Sequence, residues 1–573
     1  MKTEPYSRKS LFLVAGITAI CLLPFINKAF HIDDSLFLWS AKQIQAHPFD
    51  FYGFLVNWYG RQDSMYLINQ NPPLVSYFIA VIAFFWGWSE IALHLAFLVV
   101  GVCLSIGIYF LARFFCQKSY LAALIAVLTP VFLVSSTNIM TDILMLTFYV
   151  WSAVLWLLGM EKDKSLYLLC SVILISLSAL TKYYGMSIIP LLFIYSLLAR
   201  RKLGIWTVYL IIPILVIVEY QLVTYLLYNN FLISNAAIYA IQIGGGKNIS
   251  MFIAKTFTGL SYTGGCIIGV LFFSHLIWSR RALICGFIFL ILFIAILFGI
   301  EPIRTILLPN IKHLNFMFIL QYSLFVFTGI QILLLAIIDI IKNRSPKSSL
   351  LFLWIFGTFI FAAYINWTIS ARTILPMIPA VGILIARRLN FKIDDKKNTK
   401  MLIYTWPLIP AAIIALSVTW ADVSLANCQR IAAYNIHNKF NDYPHTIWFQ
   451  GHWGFQYYME SLGAKSLEYN KSIIKTGDII IQPINNTNLV QLPKKQFHYI
   501  NRQLLMPCRY IGTMSEKYPA GFYTAAGPLP FFIGKAASEE YLIFLAGNFK
   551  NSYEAVQYFR KHIRPQVSKK NTN

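Results

Sequence analysis

The sequence predicts an all-α polytopic membrane domain of about thirteen transmembrane helices, followed by a small C-terminal α/β domain outside the membrane. Three observations predict it. Of 573 residues, 58% are hydrophobic and only 12% charged, against about 25% charged in an average soluble domain. Apolar stretches recur along the first 420 positions, and about 18 such residues suffice to cross a hydrocarbon core of about 30 Å. The last 153 residues lose that pattern and mix strand-like with helix-like runs. A soluble enzyme, a disordered protein and a disulfide scaffold are excluded.

The chain opens with Lys2, Arg8 and Lys9 before an apolar run from Leu11 to Phe25. No small-x-small cleavage site follows, so the run reads as an uncleaved signal anchor. The predicted crossings are 10–29, 91–112, 119–136, 143–160, 165–180, 185–199, 205–228, 257–278, 282–300, 314–341, 349–366, 373–388 and 401–420. A further apolar piece, 72–88, starts at Pro72-Pro73 and ends at Trp86-Gly87-Trp88. As a helix it reaches only about 24 Å, short of a crossing, and its tryptophans suit an interface.

Lys plus Arg outnumber Asp plus Glu by 47 to 23. In a soluble chain that excess would point to nucleic acid; here it serves as a topology signal, since cytoplasmic loops collect Lys and Arg. With the N-terminus inside and 72–88 lying on the outer surface, the inside segments of the first 420 residues hold 21 Lys and Arg and the outside loops nine. Were 72–88 to cross, Arg200-Arg201-Lys202 and Arg387-Arg388 would face outward. The expected arrangement is therefore a membrane domain over 1–420, with a first outside loop over 30–90, and an extracytoplasmic domain over 421–573. In the tail, Thr446–Gln450 and Asp478–Gln482 read as strands, and Gly454–Leu462 and Ser552–His562 as helices. The tail's 17 Lys and Arg need only a solvated surface near anionic lipid head groups, and no nucleic-acid partner is implied.

Six of the eight cysteines lie in or beside apolar spans; Cys428 and Cys508 fall in the tail, and whether they pair is open. No CxxC, HExxH or similar metal-ligand spacing occurs. Gly244-Gly245-Gly246-Lys247 is followed by Asn rather than Ser or Thr and is no P-loop. Asp394-Asp395 sits among lysines as solvated charge, and Glu219 within a span reads equally as a structural or a functional acid.

Chemistry gathers at the outer face. The first outside loop begins HIDDSLFLWSAKQI, placing Asp33 and Asp34 directly after the first span. Adjacent carboxylates repel, and such a pair serves a base, a metal or a cationic partner; the competing reading is the start of an interfacial helix. Asp142, in TNIMTDILMLTF, opens another span at the same face. Lys182 in LTKYYG and Arg372 in SARTILPMIP end or open spans there. They read either as snorkelling anchors or as a phosphate clamp, to which paired cations are suited.

HIDDSLFLWSAKQI, NQNPPLVSYFIA, TNIMTDILMLTF, LTKYYGMSIIPLL and ARTILPMIPAVGILIAR, in this order, resemble glycosyltransferase family 39. Its members are the protein O-mannosyltransferase-like and lipid A aminoarabinose transferase-like enzymes of the GT-C membrane fold. The resemblance covers about the first 200 residues and one patch near 370–388. It implies transfer of a sugar from a polyprenyl-phosphate carrier to a lipid, polysaccharide or protein acceptor on the periplasmic face of a bacterial inner membrane. The family's acidic pair falls on Asp33 and Asp34 and its second acid on Asp142. A lysine common before the Pro-Pro motif is replaced by Asn71, leaving Arg61, Lys182 or Arg372 to contact the phosphate. In that reading Asp33 is the base, and Asp142 orients the acceptor or shares a divalent metal with Asp34. The alternative is a lipid or polysaccharide transporter or flippase, which would place polar groups at mid-membrane rather than at one surface.

Overall fold

The computed structural model describes residues 7–244, 248–309, 315–394, 402–515, 520–524 and 527–558. Gly245 to Lys247 of the glycine run, Asp395, and the end of the predicted 552–562 helix lie outside them. The described residues divide into two compact units: those within 1–27, 70–421 and 510–535 form the first, and those within 28–69, 422–509 and 536–573 the second.

The first unit is a helical bundle and establishes a multi-span membrane protein. Among the described residues ten helices, nine wholly in this unit and Leu408–Phe440 starting in it, are long and apolar enough to cross a membrane. Two further predicted crossings are bent pairs, Ser119–Val127 with Pro130–Ser136 at 69° and Ile249–Cys266 with Gly269–Ile277 at 87°. The first bend has a local cause. Pro130 cannot donate a backbone hydrogen bond, and Thr129 caps the new helix by accepting from the Phe132 N–H at 3.3 Å. The thirteenth predicted crossing is Ser165–Thr181, a 17-residue apolar helix, and the 72–88 piece is the shorter helix Leu74–Trp86. Every predicted crossing is thus helical, but ten to twelve pass as spans rather than thirteen. The bends and the short helix make the difference. Helices Ile249–Cys266 and Phe316–Asn343 touch backbone to backbone. A Cβ on Gly264 would lie 1.9 Å from the Phe325 carbonyl oxygen, and one on Gly329 2.2 Å from that of Leu260.

The described residues 510–515, 520–524 and 527–535 pack with this bundle although they follow the tail's first strands. Their apolar side chains, Phe522, Leu529, Phe531 and Phe532, are buried. Gln321 ties the segment down at Ile533, donating to its carbonyl and accepting from its N–H, each at 2.7 Å.

The second unit joins the predicted tail to most of the first outside loop. Its sheet runs in the order Lys465–Ser466, Ile447–Phe449, Ile479–Pro483, Glu539–Ala546, Phe497–Leu505. The first three strands are parallel and the others antiparallel. Along Glu539–Ala546 alternate residues Glu539, Tyr541, Ile543 and Leu545 are buried, the period of a strand with one covered face. Helix Trp453–Ser461 and a short hairpin, Leu55–Asn57 with Gln62–Ser64, complete it. Loop and tail belong together because they bond: Lys28 donates to Asp422 at 2.6 Å with both side chains fully buried, and the Tyr458 hydroxyl accepts from the Phe30 N–H. The contact units part at 421/422 and group 28–69 with most of the tail and 510–535 with the bundle. Cys428 and Cys508 are free thiols.

Candidate active site

The first unit builds its charged cluster from three helix ends. Asp142 lies in the first turn of Thr141–Lys162, with 3% of its side chain exposed. Lys182 follows the last residue of Ser165–Thr181 in extended conformation, its N–H held by the Ser178 carbonyl. The turn after it must pass against that helix, since a Cβ on Gly185 would fall 2.5 Å from the Ser178 carbonyl carbon. Lys182 Nζ donates to Asp142 Oδ1 at 2.7 Å.

Arg372 sits in the single turn Ala371–Ile374. Ser370 and Thr373 fix that turn as a capping box, and the Phe522 carbonyl accepts from the Ala371 N–H at 2.9 Å. Its Nη1 lies 3.9 Å from Asp142 Oδ2 and donates to Met140 Sδ at 2.8 Å. Its guanidinium stands over the Tyr523 ring, 5.8 Å from the centroid. Asn138 Nδ2 donates to the Tyr523 hydroxyl at 2.9 Å and to the Val134 carbonyl.

One carboxylate therefore faces two cations, and the cluster carries a net positive charge. Asp142 Oδ2 is buried without a hydrogen bond. Lys182 and Arg372 keep 23% and 17% of their side chains exposed, enough to meet an anion arriving at that end of the bundle. Asp142 bonds Lys182 directly and lies 3.9 Å from Arg372.

The remaining predicted residues belong to the second unit. Asp34 is fully buried at the start of helix Asp34–Ala46, and its Oδ2 accepts from the His31 N–H at 2.8 Å. Asp33 holds the N-cap position without a side-chain cap bond and is the more exposed of the pair. Burial pushes the nearby His31 down to about 4, keeping its imidazole neutral. Arg61 is 74% exposed on the hairpin and paired with Asp63 at 2.8 Å.

Among the described residues no three His, Cys, Asp or Glu side chains gather as metal ligands. Asp142 already faces two cations, so the residues there do not fit a divalent metal. Asn138, Met140 and Tyr523 are the partners that sequence reasoning misses. The first two stand within TNIMTD itself, whereas nothing in the tail marks Tyr523.

Comparison with known proteins bears out the resemblance carried by the motifs. A family model described as dolichyl-phosphate-mannose-protein mannosyltransferase matches residues 70–241. The crystal structure of ArnT from Cupriavidus metallidurans bound to undecaprenyl phosphate is 11% identical. It superposes with a TM-score of 0.52 over 84% of this chain and 94% of that one. The Archaeoglobus fulgidus oligosaccharyltransferase in the apo form is 14% identical, with a TM-score of 0.46 over 80% of this chain; the match spans 64% of that longer protein. No curated protein matches by sequence. The likeness to ArnT shows the fold: a GT-C membrane bundle with a smaller sheet-containing part.

Proposed function

We propose that this chain is a membrane glycosyltransferase. It moves a sugar from a polyprenyl-phosphate carrier to an acceptor hydroxyl or phosphate at the periplasmic face of a bacterial inner membrane. One observation carries the reading: Lys182 and Arg372 converge on Asp142 at one end of the bundle, leaving a partly exposed net positive charge. Cations so placed suit the charge that collects on a departing lipid phosphate. The family model supports it by covering Asp142 and Lys182, and so does the fold shared with a protein crystallised with undecaprenyl phosphate.

In the reaction an acceptor oxygen attacks the anomeric carbon while the bond to the carrier phosphate breaks. The phosphate is a good leaving group, so a base is more useful than an acid. Lys182 and Arg372 stabilise the phosphate, and Asp142 holds their head groups in position. Asp33 is the acceptor's base, a role that rests on the sequence resemblance. Acceptor classes are a lipid, a polysaccharide or a protein hydroxyl.

The donor decides the matter experimentally. Purified protein should transfer from a polyprenyl-phosphate sugar and ignore the matching nucleotide sugar. Efficient transfer from the nucleotide sugar without lipid would sink the proposal.

A further inference from the structure

The second unit contains a cavity of about 470 Å³, within the range of small-ligand sites, about 300–1,000 Å³. Its walls include Trp39, Lys42 and Gln43 of helix Asp34–Ala46, Asn57 and Gln62 of the hairpin, and Glu460 of helix Trp453–Ser461. None of these belongs to the charged cluster of the first unit.

The walls are built rather than incidental. Trp39 is held edge-on by Trp58 at 6.4 Å, and Trp58 in turn lies 5.1 Å from the His452 ring. Gln456 Nε2 donates both to the Asn57 carbonyl at 2.9 Å and to Glu460 Oε1 at 2.8 Å, so one amide fixes two walls. Asn57 is only 4% exposed; its Nδ2 donates to the Leu467 carbonyl, while its Oδ1 is buried and accepts no hydrogen bond. That amide therefore braces the wall from behind rather than facing the cavity. Gln43 and Gln62 each spend an amide hydrogen within the protein, on the Asp50 carbonyl and on Glu468; each side chain has a second amide hydrogen.

The chemistry selects a ligand class. One ammonium and one carboxylate cancel, and desolvation moves both toward neutrality, lowering Lys42 and raising Glu460. A phosphate site would gather cations without a carboxylate. Here one indole accompanies the carboxamides of Gln43 and Gln62. An indole face packs against the C–H face of a sugar ring, and amides and carboxylates offer the donors and acceptors that hydroxyls need. We infer that the cavity is a saccharide-binding site for one or two rings of a neutral glycan. This goes beyond the transfer reaction, because binding here needs neither donor nor turnover.

The test uses the full chain in lipid nanodiscs free of glycoside detergent, with maltose and chitobiose as probes and saturation-transfer NMR as readout. Saturable millimolar binding of at least one disaccharide is expected. Trp39→Ala and Gln62→Ala should each weaken it about tenfold, while Lys494→Ala, on an exposed loop, leaves it unchanged. Gln62 is exposed at the hairpin, so its variant keeps the test valid if Trp39→Ala fails to fold. Absence of saturable binding by both sugars, binding indifferent to Gln62→Ala, or displacement by inorganic phosphate would each overturn the proposal. None of these results depends on transfer activity.

Discussion

Asp142 and its two cations behave as one object, because 3% of the carboxylate is exposed and each cation is within 4 Å of it. Lys182→Ala and Arg372→Ala should each weaken donor use by about 2–3 kcal/mol, the worth of a charge-assisted bond to a partly buried phosphate. Asp142→Asn acts through them: the cations lose the anchor that aims them. Combined with Lys182→Ala it should cost less than the sum of the single effects, with coupling of about 0.5–3 kcal/mol. Strict additivity in kcat/KM for the lipid donor would separate Asp142 from the cations. Asp33→Asn belongs to the same scale: the amide keeps the shape but cannot accept a proton. Transfer should vanish while the protein stays folded and still binds lipid phosphate. Wild-type turnover would remove Asp33 as base.

At the scale of elements, the segment 510–535 explains why Arg372 points where it does. Phe522 accepts from the N–H beside Arg372, Tyr523 lies under its guanidinium, and Tyr262 donates its hydroxyl to the Gly521 carbonyl at 2.8 Å. Tyr523→Phe keeps the ring and loses the bonds to Asn138, so a loss of about 1 kcal/mol in thermal stability is expected, with little change in donor KM. Tyr523→Ala removes the ring under Arg372 and should raise donor KM as well. Equal donor KM in both variants would show that the ring does not position Arg372. This element is also where the sequence stops being readable. A crossing is legible from its own residues, because about 18 apolar positions suffice, and Lys182 and Arg372 stand out as charges at span ends. Strands 447–449 and 479–483 are legible from their β-branched and aromatic runs. The bend at Pro130 is less so, since the apolar run continues through it. The contact between Tyr523 and Asn138, 385 positions apart, leaves no local signal: it depends on a return into the bundle that composition alone cannot show.

For the whole molecule, sidedness decides which donors the cluster can meet. The span Ala371–Asn390 carries Arg372 near one end and Arg387 near the other, separated by about 22 Å of helix. Arg387 pairs with Asp339 at 3.1 Å and donates to Ser348, Lys347 pairs with Glu161 at 3.2 Å, and Arg200 pairs with Asp163. With all thirteen predicted segments crossing, these basic residues lie in the segments that the loop charges, 21 against nine, assign to the inside. If Arg387 is inside, then Asp142, Lys182 and Arg372 are outside, where sugars arrive on lipid carriers rather than on cytoplasmic nucleotides. For the proposed polyprenyl-phosphate donor, the anchor would add about 0.8 kcal/mol per buried CH₂, so a few cations at interface depth would suffice to hold its phosphate. An alkaline phosphatase reporter fused after residue 421 should therefore be active, and one fused within 201–204 inactive. The reverse pattern would put the cluster in the cytoplasm and remove the reason for a lipid-linked donor.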